Sequence, residues 1–126
     1  MYINNNVLDN LGSLASATVR VDICYGTQPA IATYAQATST ASCGSKSSLT
    51  MTAITDGATD GRKVSTPAIL AGAPGTVSLT ETASWWAITD GTSVVHAHGA
   101  LTATQAVTVS NDFTLDAIDV TIRDAA

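Results

Sequence analysis

Charge is what this sequence has least of. Only 12% of its 126 residues are Asp, Glu, Lys or Arg, against roughly a quarter in an ordinary soluble domain. The five basic residues (Arg20, Lys46, Arg62, Lys63, Arg123) are scattered, and only Arg62 and Lys63 are adjacent. With a formal net charge of -5, such a chain lacks the clustered cations that neutralise phosphates, which argues against direct nucleic-acid binding. No apolar run approaches the roughly 20 residues that span a bilayer, so no membrane partner is expected. The opening Met1-Tyr-Ile-Asn-Asn-Asn has neither the basic start nor the apolar stretch of a secretion signal, and synthesis in a cytosol is expected. There are only two cysteines, Cys24 and Cys43. Their spacing fits no zinc pattern, and reduced thiols suit a cytosolic product.

What fills the places of Lys and Glu is Thr, Ala and Ser. A surface so poor in charge is suited to being covered by a partner. A length of 126 residues fits one domain. Thr and Val favour strands, while Leu, Glu, Lys and Gln are scarce. Asp56-Gly57, Asp60-Gly61, Pro74-Gly75 and Asp90-Gly91 punctuate the chain as turns.

Alternation from Thr18 to Cys24 predicts a strand with Val19, Val21 and Ile23 on one face, Arg20 and Asp22 on the other. Gln28 to Thr38 reads as a short helix or an irregular crossing. Leu49, Met51 and Ala53 mark a further strand. Val64 to Leu70 marks another, which Pro67 confines to an edge or bulge. Val77 and Leu79 lead to Glu81. Ser84 to Thr89 then meets Asp90-Gly91, the strongest hairpin signal present. The return runs from Ser93 to His98 and closes at Gly99, and Gln105 to Ser110 forms a separate strand. Phe113 to Ile122 changes face midway, which a bulge near Ala117 would reconcile. The expected fold is therefore all-β, an Ig-like antiparallel β-sandwich of seven to eight strands over residues 17–126. Residues 1–16 form an extended or partly helical N-terminal arm, whose removal should leave the sandwich folded.

Candidate chemistry is thin. His96 and His98 share a strand face at metal-ligand spacing, but further ligands are not evident. The plain alternative places both on a solvent or partner face, opposite Val95 and Ala97. The acids of Asp56-Gly-Ala-Thr-Asp60-Gly fit two tight turns better than a calcium loop. Asp116 and Asp119 would face opposite ways on one strand, against paired carboxylate catalysis. No nucleophile elbow or phosphate loop occurs. Neither an enzyme nor a cofactor or metal site is expected. Trp85 and Trp86 must point to opposite faces, so one enters the core. The other either anchors an interface or lies beneath another part of the chain.

Several strings give the chain a familiar look. Met1-Tyr-Ile-Asn-Asn-Asn-Val-Leu-Asp-Asn, Val21-Asp-Ile-Cys, Thr33-Tyr-Ala-Gln-Ala-Thr-Ser-Thr and Asp60-Gly-Arg-Lys-Val are four of them. Ala83-Ser-Trp-Trp-Ala-Ile-Thr-Asp-Gly, Gly99-Ala-Leu-Thr-Ala-Thr-Gln-Ala-Val-Thr and Phe113-Thr-Leu-Asp-Ala-Ile-Asp-Val-Thr-Ile-Arg-Asp complete the set. In these the chain resembles small structural proteins encoded by tailed bacteriophages and prophages. The resemblance covers nearly the whole chain and brings no catalytic residues. It implies a virion component, foremost a capsid decoration (cement) protein that binds the major capsid protein, working as a homo-oligomer such as a trimer. The alternative is a neck, tail or fibre-associated Ig-like module that binds another virion protein or a host surface glycan. Candidate partner-binding residues are Tyr2, Ile3, Val7 and Leu8 in the arm, with Trp85 and Trp86.

Overall fold

A computed structural model describes residues 2–4, 12, 14–56 and 61–122. The protein is all-β, with ten strands among those residues. They are β1 (Tyr2–Ile3), β2 (Thr18–Tyr25), β3 (Ser42–Thr50), β4 (Thr55–Asp56), β5 (Arg62–Ser65), β6 (Gly75–Val77), β7 (Glu81–Thr89), β8 (Val95–Val107), β9 (Asp112–Phe113) and β10 (Asp119–Ile122). Seven form one antiparallel sheet in the order β1-β8-β7-β2-β3-β6-β9, and three form a second in the order β10-β5-β4. An Ig sandwich divides its strands four and three, or four and five; here the division is seven and three.

The two sheets share one apolar core. Val19, Val21, Ile23, Trp86 and Ile88 from the large sheet pack with Val64, Ile118 and Val120 from the small-sheet side. The alternation of β2 accounts for this, since its odd residues from Val19 to Ile23 all enter that core. Two of its even residues are buried as well. Asp22 and Cys24 are buried on the opposite, outer face. There the segment 27–41, which ends in a π-helical turn at Gln36–Thr40, crosses the sheet. Cys24, Ala32, Ala37, Trp85, Ala87 and Val95 make a second, smaller cluster beneath it. The centre of the large sheet, at β2 and β7, is thus covered on both faces.

Several sequence expectations change in detail. The strand at Thr18 and the Asp90-Gly91 hairpin are present, with Thr89 opposite Val95. The Asp90 carboxylate closes that loop by accepting the backbone N–H groups of Thr92, Ser93 and Val94 at 2.8–2.9 Å. Gln28 to Thr38 is indeed an irregular crossing with one helical turn. Thr33 and Gln36 start that turn reciprocally: Gln36 N–H donates to the Thr33 hydroxyl at 3.1 Å, and Thr33 N–H to Gln36 Oε1 at 2.9 Å, the capping-box arrangement.

The separate strands expected at Ser93 to His98 and Gln105 to Ser110 are one strand, β8, that continues through Gly99. Trp85 pairs with Ala100 and Ala83 with Gln105, so Ser84 alone faces the bulged stretch Leu101 to Thr104. The expected final strand is two. Phe113 lies in the large sheet and Val120 in the small one, so the change of face is a change of sheet. β5 stops at Ser65 before Pro67, and Ile69 makes only an isolated bridge to Leu115. Ala53 is exposed, whereas Leu49 and Met51 are buried.

The arm is not separable at residue 16. Leu14 is fully buried in the main core, and Tyr2 and Ile3 pair with His98 and Ala97 of β8. Deleting 1–16 would open the core, contrary to expectation. Val7 and Leu8 lie outside the described residues, as do Gly57 and Asp60 of the expected tight turns.

Two glycine–aromatic cross-strand pairs shape the sheet. Gly99 lies opposite Trp86, and a Cβ there would meet the indole Cζ2 at 2.7 Å. Gly75 lies opposite Phe113 in the same way, with the ring across its Cα. In each pair the missing side chain makes room for the ring.

Candidate functional site

The sandwich is unequal, and its open side carries a recess. Three strands cannot cover seven, so the far part of β8 lacks a facing strand. A groove of about 1000 Å³ results, at the upper end of volumes typical of ligand sites. Trp86 and Gly99 form its floor, the bulge at residues 101–103 one wall, and the crossing stretch 114–119 with residues 69–71 the other. Bulges commonly sit beside binding sites, because they re-aim side chains and interrupt strand pairing.

The groove is mostly apolar, with a polar fringe of Thr102, Gln105, Thr114, Asp116 and Asp119, and its lining carries no cationic side chain among the described residues. Asp119 is engaged by the Ser65 hydroxyl at 2.5 Å and by Lys63 Nζ at 3.7 Å. Asp116 is exposed on the wall. Leu70, 63% exposed, stands at the rim.

The tryptophans are both buried. Trp86 is 7% exposed, with its ring against Gly99 in the main core. Trp85 faces outward as alternation requires, but the chain's own crossing segment covers it to 1% exposure. Its Nε1–H donates to the Tyr25 carbonyl at 3.2 Å. Neither ring is available as an exposed anchor. Of the candidate partner-binding residues, Trp86 reaches the groove, while Tyr2 and Ile3 are half-buried against β8.

His98 corrects a second expectation. It is 1% exposed, under the start of the crossing segment. Its Nε2 accepts the Ala32 N–H at 3.0 Å, and its Nδ1 lies 2.6 Å from Gln28 Oε1. Tyr2 stacks on the imidazole at 4.9 Å between ring centres, and the edge of Trp85 meets it at 5.7 Å. His96 is half-buried beside it in sequence. Burial pushes both imidazoles below the ordinary histidine range; Asp90 partly offsets this at His96. Both nitrogens of His98 are committed, and no group of three or more metal-ligating side chains exists among the described residues.

A polar pin sits farther along the outer face. Arg20 grips Asp22 through two bonds of 2.8 and 2.9 Å, and the Ser42 hydroxyl donates to the same carboxylate at 2.6 Å. Burial pushes the Asp22 carboxyl up, while Arg20 and Ser42 pull it down. Arg20 also donates to the Thr38 carbonyl at 3.3 Å, tying the crossing segment down. Cys24 and Cys43 sit on neighbouring strands but in different clusters, one per sheet face. Both are free thiols.

No protein-family model matches the chain, and no curated protein and no solved structure matches it.

Proposed function

We propose that this chain is a non-enzymatic structural protein of a tailed-bacteriophage virion, a capsid decoration (cement) protein that binds the major capsid protein as a homo-oligomer. The observation that carries the reading is the open side of the sandwich. Ala100 to Ala106 is an uncharged, largely exposed stretch beside an apolar groove. Natural sheet edges usually carry charge or proline against unwanted pairing. An edge left uncharged beside a recess suits a surface that is covered in use. Low charge also keeps the desolvation cost of docking small. The sequence resemblance points to the same role.

A second reading, a neck, tail or fibre module that binds a glycan, draws on Asp116, Gln105 and Thr102 around the same groove. It is weakened by the burial of Trp86, since a sugar-stacking platform needs an open ring face. Quantitative mass spectrometry of purified virions separates the two. A copy number comparable to the major capsid protein is expected for decoration. A handful of copies moves the protein to the tail, and absence from particles ends both readings.

A further inference from the structure

The outer face of the large sheet carries a histidine whose hydrogen bonds admit only one protonation state. A backbone N–H can only donate, so His98 Nε2, 3.0 Å from Ala32 N, must hold a bare lone pair. The ring's proton is then on Nδ1 and is donated to Gln28 Oε1 at 2.6 Å. A second proton would have to sit on Nε2, pointing at the Ala32 N–H. The bond would be lost and a charge would be left buried.

The surroundings offer that charge no relief. From β1 the ring faces Tyr2, from β7 Trp85 and its register neighbour Ala87, and from the crossing segment Gln28 and Ala32, with Tyr34 in the adjoining cluster. On β8 itself His96 is two residues away. The carboxylate of the outer face, Asp22, is already taken by Arg20 and Ser42.

The same ring holds down an otherwise lightly held piece. Residues 27–34 are mostly exposed or half-buried apart from Ala32. The later part of the crossing segment is pinned independently: Cys24 donates to the Ala37 carbonyl, Arg20 to that of Thr38 and Tyr25 to that of Thr40.

We propose that His98 is a proton-operated latch, whose protonation releases residues 27–34 from the outer face while the pinned turn and the sandwich stay folded. Release uncovers Trp85 and Ala87, an apolar surface that is hidden at neutral pH. The latch is independent of which partner the groove meets.

Hydrogen–deuterium exchange of the full chain at pH 7.5 and 5.0, corrected for intrinsic rate, tests it. With an ordinary histidine pKa near 6.5 in the open form, opening at 27–34 should rise up to about 30-fold across that interval. Residues 36–41 and both sheets should stay protected. The response should persist in His96→Gln and vanish in His98→Gln. Nitrogen NMR of the wild-type ring at pH 7.5 should find Nε2 unprotonated, a readout that needs no variant. Equal protection of 27–34 at both pH values, joint loss of protection in both sheets, a response abolished by His96→Gln or kept by His98→Gln, or a protonated Nε2 at pH 7.5 would each overturn the proposal.

Discussion

The two faces of the large sheet are closed by different physics. The inner face is buried against the small sheet by a broad set of aliphatic side chains around Trp86. The outer face is closed by one irregular segment whose apolar contribution is small: Ala32, Ala37, Tyr34 and Ala41 around Trp85. What holds that segment is a series of directed bonds, donated by Arg20, Cys24 and Tyr25 and accepted by His98. Burial of apolar area is non-directional and spreads its stabilisation over many contacts. Directed bonds concentrate it in a few groups, each expensive to leave unsatisfied. Damage inside should therefore lower the stability of the whole molecule, and damage outside should loosen a part.

The largest effect is expected from Trp86→Ala, which empties the centre of the inner core. It should cost about 3–5 kcal/mol and lower every probe of folding together in denaturant titration. Unfolding of the outer segment alone would break the comparison. Next comes Arg20→Met, which leaves the buried Asp22 carboxylate without its cation and should cost about 3 kcal/mol at neutral pH. Asp22 has its carboxyl raised by burial, and loss of Arg20 raises it further. A raised carboxyl contributes stability below its unfolded value, and that contribution is lost as pH rises through the folded value. The deficit relative to wild type should thus shrink between pH 7 and pH 4.5, and a constant deficit would mean that the pair does not act through charge.

Gly99→Ala sharpens the inner side. The new methyl must displace the indole, and overpacking of about 1–3 kcal/mol is expected, read as a lower denaturant midpoint with an unchanged slope. The smallest change is Trp85→Phe, which keeps an aromatic ring but removes the bond to the Tyr25 carbonyl. It should cost about 1 kcal/mol and raise hydrogen exchange in the outer segment selectively. A uniform rise across both sheets would place Trp85 energetically with the inner core.

The same division governs what the sequence made legible. β2 and the β7–β8 hairpin were readable, because local signals set them: β-branched alternation in the first, Asp-Gly loop chemistry in the second. β3 was not, since Ser42-Cys-Gly-Ser-Lys-Ser-Ser has little strand propensity and is held by its place between β2 and β6. Tertiary context overrides propensity there. The face change between Phe113 and Val120 was visible, but a bulge and a change of sheet leave the same local pattern. The groove was illegible for a similar reason: it exists because seven strands face three, a property of pairing. The covering of Trp85 and His98 depends on where residues 27–41 land. One local signal did go unread, the Thr33-Tyr-Ala-Gln36 capping box.

The placement of the two thiols has a consequence for following these motions. Cys24 lies under the outer segment and Cys43 in the inner core, so the sheet itself stands between them and no internal crosslink can form without dismantling it. Burial raises both thiols, Cys43 to about 11, and the reactive thiolate is scarce at neutral pH. Alkylation of either must therefore wait for its own cover to lift. The chain carries a matched pair of native chemical clocks, one per face, and the ratio of their labelling rates separates opening of the pinned turn from global unfolding without any added probe.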